Sequence, residues 1–205
     1  AKVNIETVEW EAREDGIGYI YISNFETKTS DEVKKAIKEL TGCRGLIVDL
    51  RQNPGGLVDE AIDTADLFMD SATMIYTEDQ TGNREYYKTK NGRTFTGPVV
   101  LLVDENTASA SEILAAGMQE NGAAKLVGVQ TYGKGIIQQL AQFSDGSALK
   151  LTRWQYFTPG GKKIHGVGVT PDYTVELDEN QLDDDGYLVD LQYNKALEVL
   201  KEMMR

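Results

Sequence analysis

The first residue that could do chemistry is a serine at the junction of a predicted strand and a predicted helix. Ser109 lies in the segment TASASE (107–112), between an apolar run over 98–104 and a helix predicted over 109–120. A serine in the first turn of a helix lies near free backbone N–H groups, and small neighbours let a substrate carbonyl approach. This setting suits a nucleophile. The alternative is that Ser109 or Ser111 caps the helix, which position alone favours because serine is a preferred N-cap residue.

The second candidate is a lysine between two glycines. Lys134 lies in the segment TYGKG (131–135), shortly after a strand predicted over 125–129. In an apolar, glycine-flanked segment a lysine loses hydration, which lowers its pKa and makes the neutral amine available as a general base. The alternative is a turn lysine that reaches solvent. A lysine base would suit a chain with one histidine, because only His165 could serve a Ser-His-Asp mechanism.

The segment around Lys134 also permits a competing hypothesis. Residues 128–134 match the pattern G-x-x-x-x-G-K of a phosphate-binding loop. However, Gly135 takes the place of the Ser or Thr that would ligate Mg²⁺, and residues 136–140 predict a strand where the phosphate-binding helix should begin. Nucleotide binding, which would require magnesium-dependent binding of ATP, is therefore disfavoured.

A glycine pair forms the third candidate feature. Gly55 and Gly56 follow a strand predicted over 45–50. Glycines let backbone N–H groups point into a cleft, so this loop could supply one donor of an oxyanion hole and the Ala110 N–H the other. A tight turn between a strand and a helix is equally consistent with the sequence.

The elements that must position these residues alternate between strands and helices. Near-continuous apolar runs predict buried strands over 16–23, 45–50, 98–104 and 125–129. Apolar residues at helical spacing predict helices over 30–42, 58–69, 109–120 and 188–200. Two hairpins are also expected, a solvent-facing one over 73–89 and an antiparallel one over 135–157, after a polar lead over 1–15. This pattern predicts an α/β fold with a mixed sheet.

Composition excludes several classes of function. With 33 acidic and 21 basic residues the net charge is −12, which argues against a nucleic acid partner. A zinc site built from histidine and cysteine needs three or four such ligands, and this chain has one histidine and one cysteine. No metal or cofactor is therefore expected. Cys43 is interpreted as a small buried hydrophobe, and the acidic segment 176–190 as a solvated loop. No apolar run has the length of a membrane helix.

Taken together, the motifs resemble those of the carboxy-terminal processing peptidases, also called tail-specific proteases. They are, in chain order, GYIYI (18–22), LIVDLRQNPGG (46–56), TASASE (107–112), TYGKG (131–135) and GVGVTPD (166–172). Members of that family use a Ser-Lys dyad with the lysine 25 residues after the serine, a separation that Ser109 and Lys134 have and Ser111 does not.

The resemblance implies a role for each matching residue. It assigns Ser109 as nucleophile, Lys134 as general base and Gln138 as the group that orients the lysine. The oxyanion would be held by the Ala110 N–H and by the N–H of Gly55 or Gly56. The implied activity is that of a serine endopeptidase which cleaves unfolded or C-terminally presented polypeptides, bound as an extended strand, through an acyl-enzyme.

The resemblance also implies a fold and a setting. The fold would be the crotonase or Clp-protease type of spiral α/β fold, with a mixed sheet and flanking helices. Residues 1–205 would form one catalytic core that lacks the family's PDZ domain, cut from an exported parent that contacts membranes only through missing parts and can form homo-oligomers. Glu120 and Ala123 depart from the family pattern. The alternative is a catalytically silent ligand- or peptide-binding module on the same fold, against which the presence of Ser109 and Lys134 argues.

Overall fold

A computed structural model describes residues 6–143, 145–178, 180–183 and 186–205 of the chain. Its main sheet has six strands in the order β1-β2-β3-β6-β7-β10. The strands are β1 (Val8–Arg13), β2 (Ile17–Ile22), β3 (Gly45–Asp49), β6 (Val99–Val103), β7 (Lys125–Gly128) and β10 (Tyr173–Thr174). Strand β1 is antiparallel to β2, and all the other pairs are parallel.

A second, antiparallel sheet has four strands in the order β5-β4-β9-β8. They are β4 (Thr73–Glu78), β5 (Arg84–Lys88), β8 (Ile136–Gln142) and β9 (Ala148–Phe157). Strand β8 begins two residues after Lys134 and pairs with β9 from Ile136 opposite Gln155 to Gln142 opposite Ala148. Among the described strands β8 has no second neighbour, so it forms one edge of this sheet.

In the described part of the chain four α-helices pack around the main sheet: α1 (Thr29–Glu39), α2 (Val58–Asp66), α3 (Ala110–Glu120) and α4 (Leu191–Met203). Side chains alternate between the two faces of a strand, so Leu46 and Val48 of β3 join the core cluster shared with α1, α2 and α3. Ile47 points to the opposite face and packs in the cluster shared with α4. Because helices lie on both faces, every residue of β3 and β6 is buried, which explains why both strands are apolar except for Asp49 at the end of β3.

The predicted α/β class with a mixed sheet is confirmed, with two corrections to its parts. The polar lead over 1–15 contains β1, whose alternation is weak because this edge strand buries Val8 and exposes most of its other residues. The hairpin over 73–89 is not simply solvent-facing. Its first strand, β4, buries Met74 and Ile75 completely, because it lies inside the second sheet and contacts α3.

The remaining predictions concern hairpin 135–157 and the acidic segment. The hairpin forms as expected, but it belongs to the second sheet rather than to the main one. Glu179, Asp184 and Asp185 of the acidic segment lie outside the described residues, and its described residues between 176 and 188 are exposed. None of the helices in the described part of the chain has the length and apolar character needed to cross a membrane.

Candidate active site

The candidate residues lie on three loops that follow neighbouring parallel strands. The glycine loop 50–57 follows β3, the turn 104–109 joins β6 to α3, and loop 129–135 joins β7 to β8. Since β3, β6 and β7 are adjacent and parallel, their carboxyl ends lie at one edge of the sheet, where α/β proteins commonly bind their ligands. The topology therefore brings Ser109, Lys134 and the glycine pair to the same edge.

Ser109 has an unusual backbone conformation at the N-cap position of α3. Its φ and ψ angles are 57° and −117°, and a positive φ is rare for a residue with a side chain. Such conformations persist where the surrounding structure enforces them, and they cluster at functional sites. Ser109 is also half-buried rather than enclosed. The geometry agrees with the interpretation of Ser109 as a nucleophile, although the residue also marks the start of the helix.

Ser111 has a different environment. It is fully buried, and its hydroxyl donates a hydrogen bond of 3.2 Å to the backbone oxygen of Asn53. The backbone N–H of Ala108 donates to the same oxygen at 3.0 Å. Ser111 therefore joins α3 to the glycine loop from inside the protein, which separates its role from that of Ser109.

A buried carboxylate connects the serine turn with the lysine loop. Glu112 is 0% exposed, and its Oε2 accepts hydrogen bonds of 2.8 Å from the backbone N–H groups of both Ser109 and Lys134. Its Oε1 accepts from the Thr131 hydroxyl at 2.6 Å and from the Gly133 N–H at 2.7 Å. Four donors from two loops thus converge on one side chain, and this fixes the position of Ser109 relative to Lys134.

The lysine loop is well anchored, but the side chain of Lys134 is exposed. The Tyr132 N–H donates to the Thr107 carbonyl at 3.1 Å, which joins this loop directly to the serine turn. The loss of hydration expected for Lys134 from its glycine-flanked sequence is therefore wrong for this structure, because only the two glycines are buried, against the backbone of residues 165–168, while the lysine between them is exposed. The side chain of Gln138, the predicted partner of the lysine, lies outside the described residues.

The glycine loop packs directly against the serine turn. Gly55 has a φ of 99°, and a Cβ atom there would lie 2.8 Å from both the Ser109 Cβ and the Ala110 nitrogen, and 2.6 Å from the Ala108 carbonyl oxygen. No side chain fits in this position. The Gly55 N–H donates to Asn53 Oδ1 at 2.9 Å, and the buried Asn53 amide donates in turn to the Ile22 carbonyl at 2.8 Å. Asn53 thereby sets the shape of the loop.

Charged side chains hold the beginning of this loop. The Arg51 guanidinium contacts Asp49 at 2.6 Å and Asp190, the N-cap residue of α4, at 2.8 Å. Although burial alone would lower the pKa of Arg51, its hydrogen bonds to these two carboxylates raise it above the ordinary value. The next residue, Gln52, has a φ of 61° and donates from its backbone and its side chain to Asp104. Helix α4 and the serine turn therefore both support the glycine loop.

A tyrosine of β9 reaches the same edge from the second sheet. Tyr156 is 1% exposed, and its hydroxyl donates to the carbonyl oxygen of Lys134. Burial and the negative charge of Glu112 raise the pKa of Tyr156, and a hydrogen bond with the Ser109 side chain acts in the opposite direction. This phenol lies at the contact between the serine turn and the lysine loop.

The sequence motifs mark the serine and lysine loops but not the side chains that join them. Glu112 follows Ser109 by three residues, and this S-x-x-E spacing of a capping box is a signal that could have found it. No local signal marks Tyr156, which is 22 residues from Lys134. Its contact with Lys134 depends on the pairing of β8 with β9.

The strand predicted after Lys134 is confirmed as β8, which removes the helix that a phosphate-binding loop needs. His165 lies on a loop whose backbone abuts Gly135. Cys43 is half-buried and packs against the core. Within the described residues no group of three or more His, Cys, Asp or Glu side chains could hold a metal ion.

Glu120, one of the two departures from the family pattern, forms a hydrogen bond and an ion pair with the turn that follows β9. Its carboxylate accepts from the Gly160 N–H at 2.7 Å and contacts Lys162 at 3.1 Å. Burial would raise the pKa of Glu120, but these hydrogen bonds lower it. The side chain thus fastens the end of α3 to the turn after β9.

Two bacterial proteases are similar to this chain over most of its length. A carboxyl-terminal-processing protease of Synechocystis sp. is 42% identical over 187 residues, which cover 90% of this chain and 44% of the relative. The carboxy-terminal processing protease CtpA of Bacillus subtilis is 39% identical over 178 residues, which cover 85% of this chain and 38% of that protein. This chain therefore spans less than half the length of these two relatives.

A solved structure shares the fold. The photosystem II D1 C-terminal processing protease superposes with a TM-score of 0.79 at 31% identity, covering 86% of this chain and 50% of that one. The predicted fold class, of the Clp-protease type, is confirmed by this match. The model of Peptidase family S41 matches residues 16–175, which is most of the chain. The chain belongs to peptidase family S41.

Proposed function

We propose that this chain is the catalytic core of a serine endopeptidase that works through a Ser109–Lys134 dyad and an acyl-enzyme intermediate. The observation that carries the proposal is the bridge made by Glu112, whose Oε2 accepts from the backbone of both residues. This bridge holds a strained serine at the beginning of a helix beside the loop of the only lysine in the segment 126–149. Such an arrangement suits a nucleophile with a nearby base.

The reaction begins with proton transfer from the Ser109 hydroxyl to the neutral amine of Lys134. The Ser109 Oγ then bonds to the scissile carbonyl carbon, whose oxygen takes up the negative charge. Collapse of this intermediate breaks the C–N bond, and Lys134 returns its proton to the leaving amine. Attack by water on the acyl-enzyme, with Lys134 again as base, releases the second product and restores Ser109.

The oxyanion is held by the Ala110 N–H and by one glycine N–H. The Ala110 N–H belongs to the first turn of α3, where backbone donors have no partner within the helix. Of the two glycines, Gly56 is the better second donor, because the Gly55 N–H already donates to Asn53. Gly56 forms a parallel β-bridge with Phe25. The two hydrogen bonds of this bridge run from the Phe25 N–H to the Gly55 oxygen and from the Leu57 N–H to the Phe25 oxygen, so the Gly56 N–H stays available.

Polypeptides in extended conformation are the substrate class that we infer. Strand β8 starts two residues after Lys134, and its outer edge has no partner among the described strands. A substrate segment that paired with this edge would pass beside the dyad. It would also cover the exposed Lys134 and exclude water from the amine, so that the substrate supplies the desolvation that the free core lacks.

The setting of the longer parent protein stays a prediction from the resemblance. We infer an exported parent in which a tail-binding domain presents the substrate. Homo-oligomers, and membrane contact through other parts of the parent, remain expectations of the same kind. The roles of Ser109 and Lys134 do not depend on them.

The test is cleavage of an unfolded polypeptide by matched variants. We expect Ser109→Ala and Lys134→Ala each to abolish cleavage and leave the fold intact. Ser111→Ala and Lys38→Ala, which change another serine and a remote exposed lysine, should keep it. Cleavage that survives Ser109→Ala would reject the proposal. Binding of the polypeptide without cleavage in every variant would favour the silent binding module.

A further inference from the structure

We propose that Asp104 is a positioning residue for the oxyanion hole, because its carboxylate holds together the two segments that carry the oxyanion donors. This inference rests on the proposed function, in which the Ala110 N–H and the Gly56 N–H bind the oxyanion. Asp104 directly follows β6 and is 6% exposed. It is a buried carboxylate at the start of the serine turn, outside the dyad.

One carboxylate oxygen of Asp104 holds the glycine loop. Its Oδ2 accepts from the Gln52 backbone N–H at 3.0 Å and from the Gln52 side-chain amide at 2.6 Å. Gln52 has a φ of 61°, which is rare for a residue with a side chain, and these two hydrogen bonds support that conformation. The next residue is Asn53, whose Oδ1 accepts from the Gly55 N–H at 2.9 Å. The path of the loop toward Gly56 therefore starts from the contact with Asp104.

The other carboxylate oxygen holds the serine turn. Asp104 Oδ1 accepts from the backbone N–H groups of Asn106 at 3.1 Å and Thr107 at 2.9 Å. The Thr107 hydroxyl donates to the Leu50 carbonyl at 2.9 Å, which joins this turn to the glycine loop a second time. Ala110 follows Thr107 by three residues. A single side chain thus holds both segments just before their oxyanion donors.

The two segments touch again where the donors lie. The Ala108 N–H donates to the Asn53 carbonyl at 3.0 Å, and a Cβ atom on Gly55 would lie 2.8 Å from the Ala110 nitrogen. A shift of either segment would therefore change the separation of the two donors. Oxyanion donors are effective only about 3 Å from the oxygen that takes up the charge. Because this charge develops during the reaction, such a shift would slow the chemical step and not weaken substrate binding.

Asp104 and Glu112 hold different parts of the site. Glu112 joins the serine turn to the lysine loop through the N–H groups of Ser109 and Lys134. Asp104 joins the same turn to the glycine loop. A change at Asp104 therefore leaves the bridge across the dyad in place and acts on the oxyanion hole.

The experiment uses a fluorophosphonate probe, which reacts with nucleophilic serines and places its phosphonyl oxygen in the oxyanion hole. The rate at which Ser109 is labelled is measured at increasing probe concentration. Phosphorus NMR of the completed adduct then reports the hydrogen bonds to the phosphonyl oxygen, whatever the rate of labelling was. Thermal unfolding is recorded in parallel, and labelling is run well below the onset of unfolding of every variant.

The test variant is Asp104→Asn, which keeps the size of the side chain but replaces one acceptor oxygen by a donating NH₂ group. The matched control is Asp172→Asn. Asp172 Oδ2 also accepts from one backbone N–H, that of Leu126 at 2.9 Å, and from one glutamine amide, that of Gln119 at 3.0 Å. This contact lies near the beginning of β7, away from the carboxyl edge of the sheet. A milder variant, Gln52→Ala, removes only the side-chain donor to Asp104.

We expect Asp104→Asn to lower the maximal labelling rate about tenfold or more, with the half-saturating probe concentration unchanged, and to shift the phosphorus resonance of the adduct. Gln52→Ala should lower the maximal rate in the same way by about twofold or more. Asp172→Asn should match the wild type in rate and resonance even where it melts earlier.

Three results would overturn the inference: a wild-type rate in Asp104→Asn, a slower rate with an unshifted adduct resonance, or an equal loss in Asp172→Asn. If Asp104→Asn does not fold, Gln52→Ala decides, and a wild-type rate in that variant rejects the role of Asp104.

The outcomes also separate this inference from the proposed function. If the wild-type chain is not labelled at Ser109, the proposed nucleophile is wrong and the inference fails with it. If the wild type is labelled and Asp104→Asn is labelled equally fast, the dyad stands and only the role of Asp104 fails.

Discussion

Ser109 and Lys134 donate their backbone N–H groups to the same atom, Glu112 Oε2, each at 2.8 Å. The two residues are far apart in sequence, and their loops follow different strands. A shared acceptor fixes their separation more directly than packing of flexible side chains could. The geometry of the proposed dyad therefore depends on a third, fully buried side chain.

The first prediction concerns that shared acceptor. Glu112→Gln should lower the free energy of unfolding by about 2–4 kcal/mol, since an amide NH₂ would face backbone donors that now have an acceptor. A fluorophosphonate probe, which reacts with nucleophilic serines, should label Ser109 far more slowly in this variant than in the wild type. Chemical denaturation and labelling measure the two effects. Glu105→Gln, at an exposed position on the serine turn, is the control and should change neither. Wild-type labelling of Glu112→Gln would contradict the bridge.

The second prediction tests the close contact of the glycine loop with the serine turn. Gly55→Ala should slow labelling and cleavage about tenfold or more, because the new Cβ atom would collide with backbone atoms and displace the loop. Gly82→Ala is the control: it has a similar positive φ, but nothing lies within 4 Å of its Cβ position. It should show only the cost of backbone strain, about 1 kcal/mol. Equal activities of both variants would reject this role of Gly55.

The third prediction separates the two serines by stability. Ser111→Ala should keep its reaction with the probe and lose about 1 kcal/mol of stability, because it removes the hydrogen bond to the Asn53 carbonyl. Denaturant titration compares it with Ser109→Ala, which should lose its reactivity instead. A Ser111→Ala variant that is stable and unreactive would reverse the assignment.

The fourth prediction concerns pH and the attachment of α4. Burial would raise the pKa of Asp190, but hydrogen bonds from Arg51 and from the Tyr193 N–H lower it below its ordinary value. A carboxylate with a lower pKa in the folded state stabilises the protein at neutral pH. That stabilisation is lost as the pH falls from the unfolded pKa, about 4, through the lower folded pKa.

The wild type should therefore be more stable than Asp190→Asn at neutral pH, and the difference should shrink in acid. Thermal melts of both proteins, followed by circular dichroism across this pH range, measure it. Because all other carboxylates are common to the two proteins, a difference that stays constant with pH would show that Asp190 does not contribute in this way.

Much of the main sheet is predictable from the sequence because each of its central strands is marked by its own run of apolar residues. Strands β3 and β6 are buried on both faces and are therefore apolar, apart from Asp49 at the end of β3. Ser109 and Lys134 are candidates from sequence alone, because the motifs around them resemble those of a known family in order and spacing.

The rest depends on contacts between distant segments. Strand β4 mixes threonines with apolar residues, and only its place between β5 and β9 explains why it is buried. The exposure of Lys134 also depends on distant segments, because its glycine neighbours do not determine which residues pack over the loop. The contact of Tyr156 with Lys134 likewise depends on the pairing of β8 with β9, because the two residues are 22 positions apart. No local pattern of residues contains this information.

The most direct test of the dyad is mass-spectrometric mapping of the fluorophosphonate adduct in the wild type and in Lys134→Ala. We expect one adduct in the wild type, on the peptide that contains Ser109, and almost none in Lys134→Ala, because without the neutral amine the serine loses its base. An adduct on another residue, or an equal amount of adduct in both proteins, would contradict the assignment of Ser109 and Lys134 as the catalytic pair.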